Sequence, residues 1–255
     1  MINAIKNILR LALISLCCLG SVHANKEADQ YYLIAKKALD YDFDDQKAFK
    51  YYQKLADMGD SRGYVGLGFM YSEPLGVKED YPKAIAYFEK AGAMGNTKGY
   101  LFLGSLYRTR YGYGEHAPKD DWKAAQYFKK AGDMGNDEGY YLLGQMYCSG
   151  DEIPKDYPKC VEYYQKVGAY VELGRMYADG IYFPKNLTKA IAYYQKAADL
   201  GDLDGYWYLG RLYYYDTHEP NKALECFQKA CEKGDQRGCD NAQKLKQHKP
   251  PLDNK

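Results

Sequence analysis

The chain has 255 residues, of which 46% are hydrophobic, 16% aromatic and 27% charged. Thirty-five Lys and Arg residues stand against 34 Asp and Glu residues, so the formal net charge is +1 at pH 7. A charge this close to zero provides no basic excess for nucleic acid or for an anionic membrane surface, and we expect neither as a partner.

The first 24 residues have the pattern of a secretory signal peptide. A short basic region with Lys6 and Arg10 precedes an apolar stretch over 11–19, and a small-residue cleavage site ends at Ala24. The apolar stretch is too short to cross a bilayer as a helix, so the pattern favours a cleaved signal over a membrane anchor. We therefore predict a secreted or periplasmic protein with a signal peptide at 1–24.

Three further segments follow the signal peptide. Residues 25–43 are predicted to form an N-terminal capping helix, and 44–246 are filled by a repeated phrase. The tail 247–255 contains two prolines and few apolar residues, which is typical of a disordered end.

The repeated phrase combines Lys-Ala, a pair of aromatic residues, a Met-Gly turn and Gly-Tyr-x-x-Leu-Gly. The residue after the first lysine recurs at intervals of 36, 40, 36, 30 and 33, at Ala48, Ala84, Ala124, Cys160, Ala190 and Ala223. The glycine of the Leu-Gly pair recurs with a similar spacing and gives independent evidence for the repeat, at Gly68, Gly104, Gly144, Gly174 and Gly210. A period of this length indicates a solenoid, here with five whole repeats and a sixth partial one.

Each repeat is predicted to contain two helices joined by a short turn. The first helix places apolar residues at i, i+3, i+4 and i+7, namely Ala84, Tyr87, Phe88 and Ala91. The second helix packs through Tyr100, Leu103, Gly104 and Tyr107. Its glycine costs about 1 kcal/mol of helix propensity, so we expect Gly104 to let two helix backbones approach closely. Gly95 suits a left-handed helix end, and Asp120 is a candidate N-cap.

These residues resemble the Sel1-like repeat, a relative of the tetratricopeptide repeat, over roughly 44–240. The resemblance implies an all-α fold, a right-handed α/α solenoid superhelix of helix-turn-helix repeats with a concave side. It also implies a monomeric scaffold that binds a protein or an extended peptide of unknown identity on that side.

Five cysteines follow the signal peptide. Cys231 and Cys239, in Lys-Ala-Cys and Gly-Cys, resemble the cysteine-rich secreted proteins of Helicobacter, and a disulfide between them would clamp one helical hairpin. Other repeats place a small residue and a tyrosine at these positions. Cys148 and Cys160 bracket the linker between the third and fourth repeats and either pair or remain buried free thiols. Cys226 replaces a helix tyrosine, and we expect it to be unpaired.

Catalytic residues are not apparent. None of the four serines after residue 24 has a lysine at the third following position, and the histidines lack ligand spacing, so we predict no catalytic residue, no metal and no cofactor. The Helicobacter relatives have been described as binding or hydrolysing penicillin-type β-lactams. The resemblance therefore implies a competing function, that of a β-lactam-binding protein or a β-lactamase.

Recognition residues are sought where the repeats differ at fixed structural positions. On the first helices these are Lys50, Gln53, Ala86, Glu89, Gln126, Lys129, Glu162 and Gln165. The variation at these positions either sets the specificity of a peptide-binding site or reflects neutral sequence drift on a surface that tolerates substitution. Tyr111 and Tyr113 lie in a longer linker that is either a contact loop or a spacer.

Two further patterns have open interpretations. Lysines that flank each first helix form either a groove for acidic peptides or a solvated face whose charge is offset by the capping aspartates. The fourth repeat is shortened: Lys166 to Gly174 spans 8 residues, whereas Lys130 to Gly144 spans 14. We expect this hairpin to distort the helix stack locally.

Overall fold

The computed structural model describes residues 26–108, 119–150, 153–247 and 249–251, and the regular elements among them are all helical. The chain divides into two compact units, Met1–Asn136 (unit 1) and Asp137–Lys255 (unit 2). The predicted all-α fold of helix-turn-helix repeats is confirmed.

The first described helix of unit 1, at 26–37 (α1), continues into a π-helical turn, Ala38–Asp42. Its other helices are α2 (Asp45–Asp57), α3 (Ser61–Ser72), α4 (Tyr81–Ala93), α5 (Thr97–Arg108) and α6 (Asp121–Asp133). Unit 2 contains α7 (Asp137–Ser149), α8 (Tyr157–Lys166), α9 (Tyr170–Asp179), α10 (Leu187–Asp199), α11 (Leu203–Tyr215), α12 (Pro220–Glu232) and α13 (Gln236–Lys246). The even-numbered helices from α2 to α12 are the first helices of the repeats, and the odd-numbered helices from α3 to α13 are the second helices.

The predicted helix boundaries are set by side-chain caps and glycine turns. The Asp80 carboxylate accepts a hydrogen bond from the Lys83 amide at 3.0 Å, and Asp120 does the same for Lys123. These contacts satisfy amides that the first helical turn leaves without a partner. At the other end of α4, Gly95 has a φ of 90°, a left-handed conformation in which glycine avoids the strain of a Cβ atom.

The core of each repeat forms along the predicted apolar faces. In α4, Ala84, Phe88 and Ala91 are buried, while Tyr87 is half-buried. The second-helix residues Tyr100, Leu103 and Tyr107 are also buried. Periodicity alone thus identified the packing faces of both helices.

The predicted role of Gly104 is wrong in its details. A Cβ atom on Gly104 would lie 2.5 Å from the Phe128 ring, so this glycine accommodates an aromatic ring of the next first helix rather than a helix backbone. Close backbone approach occurs instead at Gly99, where a Cβ atom would lie 2.7 Å from the Gly92 nitrogen. From α4 to α12, the aromatic residue at i+4 of each first helix needs the space that the preceding Leu-Gly glycine leaves.

The hairpins are closed in two ways. In the α4/α5 hairpin, a Cβ atom on Gly92 would lie 2.6 Å from the Tyr100 ring, so glycine makes room for the tyrosine. The α12/α13 hairpin has the predicted disulfide between Cys231 and Cys239, with a Cα–Cα distance of 4.5 Å. The sixth repeat contains both of its helices, although the sequence predicted it as partial.

The second disulfide joins two different repeats. Cys148 of α7 is bonded to Cys160 of α8 across 12 positions of sequence, which decides between the two alternatives left open above. Cys226 is a free thiol, as predicted.

Some predictions fall on residues that the structure does not describe. The signal peptide at 1–24 lies outside the described residues, as do Tyr111 and Tyr113, and of the tail 247–255 only 247 and 249–251 are described. Within the described ranges, no helix is long and apolar enough to cross a membrane.

Candidate functional site

The recognition positions predicted on the first helices lie on the solvent-exposed faces of these helices. They occupy two register positions that are three residues apart on each helix. Five of them are exposed in unit 1: Lys50, Ala86, Glu89, Gln126 and Lys129. Glu162 and Gln165 are exposed in unit 2, and Gln53 is half-buried. In the described part of the chain, Lys50 and Gln126 make no side-chain hydrogen bond or ion pair, so their side chains are available to a partner.

Two of these residues contact the next first helix along the chain. The Tyr127 hydroxyl of α6 donates a 2.9 Å hydrogen bond to the Glu89 carboxylate of α4, within unit 1. In unit 2, the Gln165 amide of α8 donates at 2.9 Å to the Tyr193 hydroxyl of α10. In each unit, a variable residue five positions after the Lys-Ala residue of one first helix therefore contacts the tyrosine three positions after that residue on the next first helix.

Two further predicted residues, Gln53 and Lys129, have hydrogen-bond partners on their own helix. Gln53 donates to Asp57 at 2.8 Å, and Lys129 donates to Asp133 at 2.7 Å. These i to i+4 contacts stabilise an exposed helix by only a few tenths of a kcal/mol, so they do not hold the side chains away from a partner.

Three stacked tyrosines mark four of the five junctions between a second helix and the following first helix, and at the α11/α12 junction Cys226 takes the place of the central tyrosine. The central ring comes from the first helix, and the outer rings come from the preceding second helix. Ring centroids are 5.4 to 6.4 Å apart. The stacks are Tyr64–Tyr87–Tyr71 and Tyr100–Tyr127–Tyr107 in unit 1, and Tyr140–Tyr163–Tyr147 and Tyr170–Tyr193–Tyr177 in unit 2. Stacked aromatic pairs add about 0.5 to 1.5 kcal/mol beyond the area that they bury.

Lysines cover both ends of these tyrosine stacks. The Lys90 ammonium is 4.2 Å from the Tyr64 centroid, and that of Lys83 is 5.1 Å from the Tyr71 centroid. Lys83 also lies 3.0 Å from the Asp80 carboxylate that caps its helix. The recurring lysines thus contact rings and cap carboxylates, which favours the solvated face over a groove for acidic peptides.

The central tyrosine of the Tyr100–Tyr127–Tyr107 stack remains protonated at neutral pH. Burial and the hydrogen bond to Glu89 raise the pKa of Tyr127 well above its ordinary value, because the phenolate would be desolvated beside a carboxylate. Tyr127 therefore acts as a hydrogen-bond donor that fixes the side chain of Glu89 beside the exposed positions.

Sequence reasoning missed a cavity of about 330 Å³ in unit 2. It lies between α7 and α9, and its lining includes Tyr141, Gln145 and Cys148 of α7, Tyr164 of α8, and Glu172, Arg175 and Asp179 of α9. The Tyr141 hydroxyl donates to the Glu172 carboxylate at 3.2 Å. Burial, followed by the charge of Glu172, raises the pKa of Tyr141.

One sequence signal points to this cavity. Glu172 is two residues before Gly174, and the same place before Gly104 and Gly210 is taken by Phe102 and Tyr208. A carboxylate at an otherwise apolar register position could have identified the site. In the described part of the chain, no group of three or more His, Cys, Asp or Glu residues is arranged to hold a metal ion.

Repeated helical hairpins with capped helices and ring-accommodating glycines define an α-helical repeat protein. The Sel1 repeat family matches residues 40–60, 61–96, 97–136, 137–166, 167–202 and 203–235. The chain therefore belongs to the Sel1 repeat family, with six repeats.

Solved structures of this family resemble the chain. A Sel1 repeat protein from Oxalobacter formigenes is 25% identical over 80% of this chain and 87% of its own length, with a TM-score of 0.56. A protective antigen of uropathogenic Escherichia coli strains, with an SLR fold, is 27% identical with a TM-score of 0.54. That match covers 77% of this chain but only 43% of the antigen.

Cysteine-rich protein B of Helicobacter pylori is also similar. It is 27% identical over 64% of this chain and 95% of its own length, with a TM-score of 0.24. Among curated proteins, none matches the chain.

Membership of this family indicates a scaffold for protein–protein interactions. The disulfides of unit 2 indicate an extracytoplasmic protein, because the cytosol keeps most thiols reduced.

Proposed function

We propose that the chain is a secreted or periplasmic scaffold that binds a protein or an extended peptide through the exposed face of its first helices, which we assign to the concave side of the repeats, without catalysis. The observation that carries this proposal is a constant framework beside variable positions. The lysine-capped tyrosine stacks recur from repeat to repeat, whereas Lys50, Ala86 and Gln126 differ in chemistry at one exposed register position.

Such an arrangement suits an extended partner. Neighbouring first helices contact each other through Glu89 and Tyr127, so successive variable positions form a row within unit 1. A partner that runs across the row would meet a different side chain at every repeat. Specificity would then come from the variable positions, and the tyrosine stacks would hold them in place.

The location proposed for this activity is outside the cytoplasm. The basic, apolar and small-residue regions of 1–24 support export and cleavage after Ala24. Two disulfides in unit 2 are consistent with an oxidising compartment.

Selection of peptides from a displayed random library tests the proposal. Peptides that the exported protein enriches should bind at least one order of magnitude more weakly to a Lys50→Ala, Ala86→Arg and Gln126→Ala variant, since a hot-spot position contributes about 1 to 2 kcal/mol or more. The matched control is a Lys36→Ala, Met94→Ala and Lys98→Ala variant, also exposed in unit 1.

Both variants should unfold like the parent, because exposed substitutions change stability by about 0.5 kcal/mol or less each. Equal loss of binding in the two variants would contradict a specific face. If removal of Tyr111 and Tyr113 abolishes binding while the first-helix variant retains it, the linker at 109–118 is the contact surface instead.

A chromogenic cephalosporin separates the proposal from the β-lactamase alternative. We expect no hydrolysis above that of a heat-denatured control. Turnover that persists through repeated purification, with saturation by substrate, would contradict the absence of catalysis.

A further inference from the structure

The cavity between α7 and α9 has a carboxylate at a position where two other repeats have an aromatic ring. In unit 1, Phe102 of α5 stacks on Phe88 of α4 with centroids 5.2 Å apart. In unit 2, Tyr208 of α11 stacks on Tyr194 of α10 at the same separation. The equivalent pair in the fourth repeat is Tyr164 and Glu172, so a carboxylate takes the place of the second-helix ring.

The rings that remain are arranged for a flat or cationic group. Tyr141 packs against Tyr164 with centroids 5.4 Å apart, and Tyr182 also lines the cavity. Tyrosine faces attract cations, and planar guanidinium groups stack on them. The side of the cavity that a phenylalanine would fill elsewhere instead presents the Glu172 carboxylate.

The charges around the cavity favour a positive ligand. Glu172 and Asp179 contribute two negative charges and Arg175 contributes one positive charge, a formal balance of −1. Tyr141 uses one acceptor position of the Glu172 carboxylate, which has about four. Among the described residues, Arg175 forms no ion pair with either carboxylate.

We propose that this cavity binds a guanidinium group, such as the side chain of an arginine presented by a peptide. Its volume of about 330 Å³ lies at the small end of the range for ligand pockets, which fits one side chain. Glu172 and Asp179 would pair with the cation, and the rings of Tyr141 and Tyr164 would pack against its plane. Glu172, Asp179 and Tyr141 lie on second helices, and Tyr164 is buried away from the exposed face of α8, so the site does not depend on the function proposed for the first-helix face.

Binding of acetylarginine amide to the full chain, followed by ligand-observed NMR titration, tests the proposal. The neutral isostere acetylcitrulline amide should bind about tenfold or more weakly, because it keeps the shape but loses the charge. Equal binding of the two compounds would overturn the proposal.

Two charge variants should change the affinity for acetylarginine amide in opposite directions, which a purely structural role of these residues would not produce. Glu172→Gln should weaken acetylarginine amide about tenfold, whereas Arg175→Gln should strengthen it about two- to threefold by removing a like charge. The control Glu225→Gln, on exposed α12, should leave binding unchanged. The reverse pattern, with Arg175→Gln weakening and Glu172→Gln strengthening, would indicate an anionic ligand and overturn the proposal.

A cavity-filling variant keeps the test valid if the charge variants fold poorly. Glu172→Phe recreates the residue pair of Phe88 and Phe102, so it should fold normally and lose all detectable binding. Retained binding in this variant would place the ligand elsewhere and overturn the proposal.

The source of the guanidinium is resolved by a second ligand. A pentapeptide with a central arginine among alanines should bind more tightly than acetylarginine amide if the natural ligand is a peptide side chain. If the free amide binds as well as the peptide, the recognised ligand is a small guanidinium compound, and the proposed site stands with that source.

Discussion

Two hairpins of the molecule solve the same packing problem by different chemistry. In unit 1, the α4/α5 hairpin places Gly92 against the buried Tyr100 ring. In unit 2, the α12/α13 hairpin has Cys231 and Cys239 at the same two register positions, and a disulfide joins them. The repeat therefore requires a short bridge between its two helices, and either an aromatic ring or a covalent bond can supply it.

The difference has a consequence for redox sensitivity. Both disulfides found in the described residues lie in unit 2. In unit 1, Gly92 and Tyr100 take the places of Cys231 and Cys239, and Ser72 and Ala84 take the places of Cys148 and Cys160. Reductant should therefore weaken unit 2 and leave unit 1 unchanged, and the following substitutions test this comparison from the largest expected effect to the smallest.

Removing the tyrosine bridge should have the largest effect. Tyr100→Ala deletes a buried ring that packs on Gly92, stacks with Tyr127 and lies under Lys130. We expect a loss of about 3 to 5 kcal/mol in the free energy of unfolding, as for other buried aromatic truncations. Urea denaturation followed by circular dichroism measures it.

The conservative variant Tyr100→Phe is the matched control for this change. It keeps the ring and should lose less than about 1.5 kcal/mol. If the alanine and phenylalanine variants are equally unstable, the ring is not the bridge.

The disulfide bridge should contribute somewhat less. Cys231→Ser with Cys239→Ser opens a loop of 8 positions and should destabilise the protein by about 2 to 3 kcal/mol in the chain-entropy model. The same loss should follow dithiothreitol treatment of a protein in which Cys148 and Cys160 are already serines.

An exchange of chemistry sharpens this test. Cys231→Gly with Cys239→Tyr copies Gly92 and Tyr100 into the last hairpin. We expect it to recover part of the lost stability and to be insensitive to dithiothreitol. An exchanged variant as unstable as the double serine variant would show that the two bridges are not interchangeable.

The sequence predicted much of this organisation because the period of the repeat is local information. The Lys-Ala and Leu-Gly spacings located the helices, and the aspartate before a first helix located its N-cap, whose hydrogen bond spans three residues. The Cys231–Cys239 bridge was predictable for the same reason, since it closes one hairpin.

What the sequence did not reveal depends on contacts between helices. The tyrosines and lysines were visible at fixed positions, but which ring covers which lysine is decided by the neighbouring repeat. Gly104 was assigned to a backbone contact because its partner, the Phe128 ring, lies 24 residues away. The cavity at Glu172 required knowledge that Tyr164 faces it across a shortened hairpin.

The ring-accommodating glycines should be equally sensitive in both units. Gly104→Ala meets the Phe128 ring at 2.5 Å, and Gly210→Ala meets the Phe227 ring at 2.6 Å. Each ring is buried and has little room to shift, so we expect a loss of about 1 to 3 kcal/mol. Thermal denaturation by calorimetry measures both.

A second-site change verifies the cause. Phe128→Leu shrinks the side chain opposite residue 104, so the Gly104→Ala and Phe128→Leu double variant should be more stable than the sum of the single effects predicts. Additive losses would indicate that the alanine clashes with something other than this ring.

An ionic clamp common to both units should give the smallest effect and the clearest pH dependence. Arg62 donates to Asp60 at 2.6 Å and to Asp29 at 2.7 Å, which ties α3 to α1 in unit 1. In unit 2, Arg237 donates to Asp235 at 2.8 Å and pairs with Asp204, which ties α13 to α11. The hydrogen bonds from Arg62 lower the pKa of Asp60, although burial opposes them. Burial raises the pKa of Asp235, but the hydrogen bonds and the charge of Arg237 together outweigh it, so the pKa is lowered.

The sign of the pH effect follows from these lowered pKa values. A carboxylate whose pKa is lower in the folded state stabilises the protein fully above its unfolded pKa of about 3.9, and this contribution is lost as pH falls through the folded pKa. Asp60→Asn keeps a capping oxygen but removes the charge, so it should cost about 1 kcal/mol at pH 7. As pH falls through the lowered pKa of Asp60 and the parent carboxylate also becomes protonated, the difference in urea midpoint should shrink toward zero. Asp235→Asn should behave in the same way, since both clamps use the same Asp-x-Arg geometry. A penalty for Asp60→Asn that is as large below the lowered pKa of Asp60 as at pH 7 would show that shape rather than charge holds α3 to α1.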